Sequence, residues 1–69
     1  MNPTTIARRF EHFRRARKLS TRELARLAGV TPGAVYSAES VGNPTLHNAV
    51  RIARVLGVSL DEIVGEERG

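Results

Sequence analysis

Apolar side chains recur every three or four residues along most of this chain, the spacing that places them on one face of an α-helix. In the first segment the recurring residues are Ile6, Phe10 and Phe13. Asn2 and Pro3 precede them and are typical of a helix start, because asparagine caps free backbone N–H groups and proline fits the first turn. We expect helix 1 to run to about Arg17.

A second helix is bounded by its own start and stop signals. Ser20 lies three residues before Glu23, the spacing of a capping box in which each side chain accepts a bond from the other's backbone N–H. Gly29 ends the segment, as glycine does where the chain turns left-handed after a last helical turn. The residues predicted to face inward are Leu24, Ala25, Leu27 and Ala28.

A third helix begins directly afterwards. Thr31 and Pro32 repeat the combination of a capping side chain followed by proline. Val35 and Ala38 form a narrow apolar stripe, and the sequence 42–44, Gly-Asn-Pro, ends the helix because the residue before a proline avoids the helical conformation. Helix 3 is therefore predicted to be short.

Two more helices complete the pattern. Thr45 caps helix 4, Gly57 ends it, and Ser59 caps a last short helix. Apolar positions predicted to face inward are Leu46, Ala49, Val50, Ala53 and Leu56 on helix 4, then Leu60, Ile63 and Val64 on helix 5. With no strand-like alternation, we expect an all-α fold, a compact bundle of five short helices. The prediction is one domain over 1–69, with a core over about 3–64 and a flexible polar tail over 65–69.

Composition indicates how large the core is and in which cellular compartment the protein is expected. Apolar residues make up 41% of the 69 residues and aromatic residues only 4%, so the core is aliphatic and thin. Small domains of this kind often gain stability from a partner chain, and we expect a homodimer. The chain has no cysteine and no apolar run long enough for a signal peptide or membrane span. We therefore expect a soluble, cytoplasmic protein without membrane contact.

The charges are unevenly distributed. The chain carries a net charge of +4, but residues 1–26 carry +6 and residues 57–69 carry −3. A basic half favours a polyanionic partner, although a basic helix face is also a common way to keep a surface solvated.

The segment 19–31 resembles the helix-turn-helix of the lambda-repressor-like family (Cro/C1 and XRE), and the likeness extends over about residues 6–64. Its features are a small residue inside the first helix, Ala25, a glycine at the turn, Gly29, an apolar residue after it, Val30, and a core residue in the next helix, Val35. Alanine lets the two helices approach closely, and glycine permits a corner that strains other residues.

The resemblance implies that helix 3 docks in the major groove of duplex DNA. It places base-reading roles on Thr31, Pro32, Gly33, Tyr36 and Ser37. It places phosphate-binding roles on Ser20, Thr21, Arg22, Arg26, Ser40 and Asn43. It also implies a structural ion pair, partly buried, between Arg14 of helix 1 and Glu39 of helix 3.

The chain departs from the family pattern at three places. Helix 3, to which the resemblance gives base reading, lacks the Gln, Asn, Arg or Lys side chains that make bidentate contacts to base edges. Val41 stands where the family usually has glycine and Gly42 follows, so we expect helix 3 to run one residue longer, which puts the role of Asn43 in question. Lys18 stands where glycine is common at the end of helix 1.

Other kinds of chemistry have no candidate residues. His12 and His47 are isolated from other metal-binding side chains, and neither a phosphate loop nor a nucleophile motif is present. We therefore expect no enzyme activity, no metal and no cofactor.

The predicted function is sequence-specific binding of double-stranded DNA by a prokaryotic or phage transcription regulator, a repressor of the Cro/XRE type. It would act as a homodimer on a two-fold operator, with a dimer surface, by analogy, at Val55, Val58 and Ile63. The alternative is a protein-interaction module, such as an antitoxin or a partner-binding regulator, that keeps the helix-turn-helix as a scaffold.

Overall fold

The computed structural model describes residues 2–64, and within that range it confirms the predicted bundle of five helices. They are α1 Pro3–Ala16, α2 Thr21–Ala28, α3 Pro32–Ser40, α4 Leu46–Leu56 and α5 Leu60–Val64. The tail predicted over 65–69 lies outside the described residues. Across residues 2–64, every helix is too short or too polar to cross a bilayer.

The helix starts were predicted correctly because the capping signals are local. Ser20 and Glu23 form the full capping box, with Glu23 N–H donating to Ser20 Oγ at 3.0 Å and Ser20 N–H donating to Glu23 Oε1 at 2.8 Å. A second box joins Ser59 and Glu62 at the start of α5. Single capping bonds are accepted by the side chains of Asn2, Thr31 and Thr45.

Helix α3 lies at the centre of the packing. It contacts α1 and α2 most extensively, while α5 packs on α1 and α4 packs on α2. The largest fully buried side chains are Phe10, Leu24, Val35, Ile52 and Ile63, which come from all five helices. One shared core therefore fixes the orientation of α2 and α3 relative to the rest of the bundle.

Two leucines predicted to face inward are instead exposed, and two core residues, Ala7 and Ile52, were missed. Leu27 is 54% exposed and Leu46 is 71% exposed, whereas Ile52 is fully buried. The buried stripe of α4 consists of Ala49, Ile52, Ala53 and Leu56. This i, i+3, i+4, i+7 stripe turns α4 so that Leu46 points away from the core.

The dimer surface expected from the sequence needs a correction. Ile63 is only 2% exposed, because it is part of the core between α5 and α1, and so it is not available to a second chain. Val55 and Val58 are half-buried and pack against the edge of the same core.

Lys18 and Gly42, two positions where the sequence departs from the family pattern, lie where the chain leaves α1 and α3. Lys18 itself adopts the left-handed conformation, with φ of 57°. Val41 keeps helical angles, and Gly42 is left-handed with φ of 74°. A Cβ placed on Gly42 would lie 1.8 Å from the carbonyl oxygen of Pro3, so the close approach of α1 also requires a glycine here. The chain thus leaves α3 at Gly42, one residue later than the family position.

Candidate nucleic-acid interface

The corner between α2 and α3 is a tight turn closed by backbone hydrogen bonds. Gly29 is left-handed, with φ of 71°, and Val30 N–H donates to Ala25 O at 3.0 Å. Gly29 N–H also donates to Ala25 O and Arg26 O, so the turn satisfies carbonyls at the end of α2. Ala25 is buried at the crossing, so α3 starts at a fixed angle to α2.

Helix α3 has one buried face and one open face. Val35 and Ala38 are buried against the other helices. The residues to which base-reading was assigned all lie on the open side: Thr31, Pro32, Gly33, Tyr36 and Ser37 are exposed, Tyr36 by 68%. The open face of α3 is therefore available for contact with a ligand.

Only some of the hydroxyl groups on this face point outward unpaired. Thr31 Oγ1 accepts a bond from Ala34 N–H at 3.1 Å, and Ser40 Oγ donates to Tyr36 O at 2.8 Å. Within residues 2–64, the hydroxyls of Tyr36 and Ser37 make no hydrogen bond. These two hydroxyls are therefore the groups of α3 that are free to meet a base edge.

An ion pair anchors α3 to α1. Arg14 Nε donates to Glu39 Oε2 at 2.7 Å, and Arg14 Nη2 donates to Glu39 Oε1 at 3.0 Å. The third contact runs from Arg14 Nη1 to Leu19 O at 2.8 Å. The hydrogen bond to Glu39 raises the pKa of Arg14 above its ordinary value, against the opposing effect of burial. One guanidinium group thus joins α1, the segment before α2, and α3, and it neutralises the Glu39 carboxylate of α3.

The residues assigned to phosphates fall into two groups. Arg22 and Arg26 are exposed on α2 and, together with Pro32 of α3, line one shallow hollow. Ser20 and Thr21 lie at the start of the same helix α2. Ser40 and Asn43, both exposed, lie at the opposite end of α3. The structure therefore brings the first four together and leaves the last two apart from them.

Two arginines of α1 are engaged within the protein. Arg9 Nη1 donates to Glu62 O at 3.0 Å, and Arg15 pairs with Glu11 at 2.9 Å. These contacts favour Arg22 and Arg26 over Arg9 and Arg15 as contacts to a ligand.

Sequence reasoning missed the contact that Arg51 makes with the turn. Arg51 Nη1 donates to Ala28 O at 3.5 Å, and Arg51 Nε donates to His47 Nε2 at 2.9 Å. His47 is exposed, as predicted, and its Nε2 accepts the bond from Arg51. The i, i+4 spacing of His47 and Arg51 was the available signal.

The side of the bundle formed by α2 and α4 carries an open groove. Its apolar lining includes Leu27, Leu46, Val50 and Val55. Its polar lining consists of basic or ionisable side chains, His47, Arg51 and Arg54. Within the described residues, no group of three or more His, Cys, Asp or Glu side chains is placed to hold a metal ion.

The capping box at the start of α2 gives a pH-dependent prediction. The bonds from the backbone and hydroxyl of Ser20 lower the pKa of Glu23 below its ordinary value of 4.5. The stabilisation from ionised Glu23 is therefore fully present above pH 4.5 and is lost as the pH falls through the lowered value. We expect the difference in melting temperature between the wild type and Glu23→Gln to shrink between pH 6 and pH 3. A difference that stays constant over this range would contradict the prediction.

Comparison with known proteins agrees with this geometry. The family described as Helix-turn-helix matches residues 11–63, which include α2, the turn and α3. A search of curated proteins found no match. The matched region covers more than half of the chain and contains the open face of α3. The chain therefore belongs to the Cro/C1-type helix-turn-helix family of DNA-binding regulators.

Proposed function

We propose that this protein recognises a specific duplex sequence by inserting α3 into the major groove and that it acts as a repressor. The main support for the proposal is that α3 has an open face. Over residues 31–40 one face of the helix is exposed, while Val35 and Ala38 on the opposite face are buried in the core. Family members dock this helix with its first residues against base edges. The fixed turn and the ion pair from Arg14 hold α3 at one angle to the bundle, which supports such docking.

Positive charge lies beside the open face, where phosphates would lie. Arg22 and Arg26 flank the start of α3. The first N–H groups of α2, at Thr21 and Arg22, have no acceptor within the helix and lie at its positive dipole end. Ser40 lies about 12 Å along α3 from Pro32, at the other end of the nine-residue helix, and Asn43 follows three residues later. Phosphate contacts at both ends would fix α3 along the groove.

We further propose that two copies bind a two-fold operator. Half-sites of such operators are about one helical turn, roughly 34 Å, apart. Val55 and Val58 are the half-buried apolar residues near the end of α4 that a second copy would cover. Dimer formation would supply apolar burial that a chain of 69 residues lacks on its own.

Two substitutions separate phosphate contact from base reading. Arg22→Ala is expected to weaken binding to all duplexes alike, by roughly fivefold to tenfold at 0.1 M salt, and to reduce the salt slope by about one. Tyr36→Ala is expected to change the preference among sequences, because the exposed ring and hydroxyl are lost from the open face. Fluorescence anisotropy titrations with a set of labelled duplexes at several salt concentrations measure both effects.

The matched control for these titrations is Arg15→Ala. Arg15 is an exposed arginine, but it lies on α1 and pairs with Glu11. We expect this variant to bind every duplex as the wild type does. Equal losses for Arg15→Ala and Arg22→Ala would show that only overall charge matters, and an equal loss on every sequence for Tyr36→Ala would argue against base reading by α3.

The groove between α2 and α4 supports a second candidate function, binding of a protein partner. Leu27 and Leu46 are 54% and 71% exposed, and both line this groove, so together they form an exposed apolar patch. The basic rim from Arg51 and Arg54 suits an acidic amphipathic helix. Salt dependence separates the two functions. A steep fall of log affinity for duplex DNA with log salt indicates DNA binding, and negligible duplex binding at 0.1 M salt favours the protein partner.

A further inference from the structure

The groove between α2 and α4 carries cations that have no carboxylate partner. Arg51 and Arg54 are exposed and line the groove, which is open and has a volume of about 660 Å³. Within residues 2–64, neither of them pairs with a carboxylate, whereas Arg14 pairs with Glu39. In the same part of the chain, no acidic side chain lines the groove. Two positive charges are therefore left without a neutralising partner.

These cations lie beside apolar surface that the fold leaves uncovered. Leu46 of α4 is 71% exposed and Leu27 of α2 is 54% exposed. Val50, one turn after Leu46, is half-buried and lines the same groove. A single exposed leucine is ordinary on a protein surface, but apolar side chains from two helices that line one groove form a continuous patch. The patch and the charges together call for an amphipathic ligand.

The length of the groove suits a helix. Leu46 and Val55 both line it and are nine residues apart on α4, so they are separated by about 13 Å along the helix axis. An amphipathic helix that docks in a groove places its apolar anchors at i, i+3, i+4 and i+7, a span of about 10 Å. The groove is thus long enough to receive all of these anchors. A phosphate backbone would satisfy the arginines but leave the leucines in water.

We propose that this groove binds an acidic amphipathic helix of a second protein while α3 is bound to DNA. The apolar face of that helix covers Leu27 and Leu46, and its carboxylates pair with Arg51 and Arg54. The open face of α3 and the hollow at Arg22 share no residue with the groove, so both surfaces can be occupied at once. The inference rests on the proposed function for the DNA-bound state, and it adds a protein partner to DNA binding.

The probe for the test is a fluorescein-labelled peptide of about 15 residues, near the length at which an isolated helix becomes stable. It carries leucines at i, i+3, i+4 and i+7 and glutamates on both sides of the leucine stripe. A control peptide keeps the leucines and has lysines in place of the glutamates. We expect the acidic peptide to bind the wild type at least roughly tenfold more tightly than the control at 0.1 M salt. Equal affinities, or no binding of the acidic peptide, would overturn the inference.

Substitutions in the groove locate the binding site. Leu46→Ala is expected to weaken peptide binding roughly tenfold, because most of a buried leucine side chain is lost. Arg54→Ala is expected to weaken it roughly threefold, the effect of losing one exposed ion pair. The matched controls are Val41→Ala, at an apolar residue that is 61% exposed outside the groove, and Arg15→Ala on α1. Equal losses for the controls would show that the peptide binds elsewhere and so overturn the inference.

A second copy of the chain is the competing occupant, since Val55 lines the groove and also belongs to the proposed dimer surface. Sedimentation equilibrium of the wild type, of Leu46→Ala and of the wild type with saturating peptide separates the two occupants. We expect the same oligomeric state in all three samples. A shift to monomer in Leu46→Ala or with the peptide would assign the groove to the second copy and overturn the inference.

The last titration uses the wild type saturated with a selected duplex. We expect peptide affinity to change by less than about fivefold, below the usual range for coupled sites. Displacement of the peptide by the duplex would overturn the inference, while the proposed function would stand. If the wild type binds no duplex, the proposed function fails and simultaneous occupancy fails with it, whereas the titration without DNA still shows whether the groove binds the acidic peptide.

Discussion

Replacing Arg14 with alanine is expected to lower the free energy of unfolding by about 3 kcal/mol, because one partner of a nearly buried ion pair is removed. The side chains of Arg14 and Glu39 are only 13% and 9% exposed. Without Arg14 the Glu39 carboxylate stays poorly solvated inside the bundle, and Leu19 O loses its donor. The melting temperature should fall by roughly 15 °C in a domain of this size. Thermal unfolding followed by circular dichroism measures the change.

The control is the exposed ion pair on the same helix. Arg15 and Glu11 are separated by 2.9 Å, but their side chains are 72% and 41% exposed. Arg15→Ala is expected to change the free energy of unfolding by less than about 0.5 kcal/mol. The double variant Arg14→Ala with Glu39→Ala should lose less than the sum of the two single losses, because the stranded charge is gone. Equal losses for Arg14→Ala and Arg15→Ala would contradict a structural role for the buried pair.

Gly42→Ala is expected to destabilise the protein by a similar amount, roughly 3 kcal/mol. A left-handed residue with a Cβ is strained by about 1 kcal/mol, and the added carbon would overlap the backbone of Pro3. Rotation of a side chain cannot relieve a clash with a carbonyl oxygen. The start of α1 must therefore move away from the end of α3. Urea unfolding of the variant measures the loss.

Gly33→Ala is the matched control, since it adds the same methyl group to a glycine near the other end of α3. The space around Gly33 is open and its backbone is not left-handed. The expected change is a gain of up to about 1 kcal/mol. If Gly42→Ala unfolds at the same urea concentration as Gly33→Ala, the close approach of α1 to Gly42 is not a constraint on the fold.

The helix boundaries were predictable because their signals are local. A serine three residues before a glutamate is the signal of a capping box, and Ser20 and Glu23 form one. The orientation of each helix was less predictable. Leu27 and Leu46 have the right spacing to face inward, but burial depends on which stripe meets the neighbouring helix. Packing of Ile52 into the core decided the orientation of α4.

The candidate site combines predictable residues with unpredictable contacts. The sequence names the residue types on α3, and the family resemblance names Arg14 as the partner of Glu39, 25 residues away. The sequence does not show that Ser40 Oγ is bonded to Tyr36 O. It also does not show that Arg51 covers the turn, since that contact depends on how α4 packs on α2.

Selection of bound sequences from a random duplex pool tests most directly whether α3 reads base pairs. We predict enrichment of a two-fold sequence whose half-sites are centred about one helical turn apart. Retained sequences without any consensus, bound equally well by the wild type and by Tyr36→Ala, would contradict it.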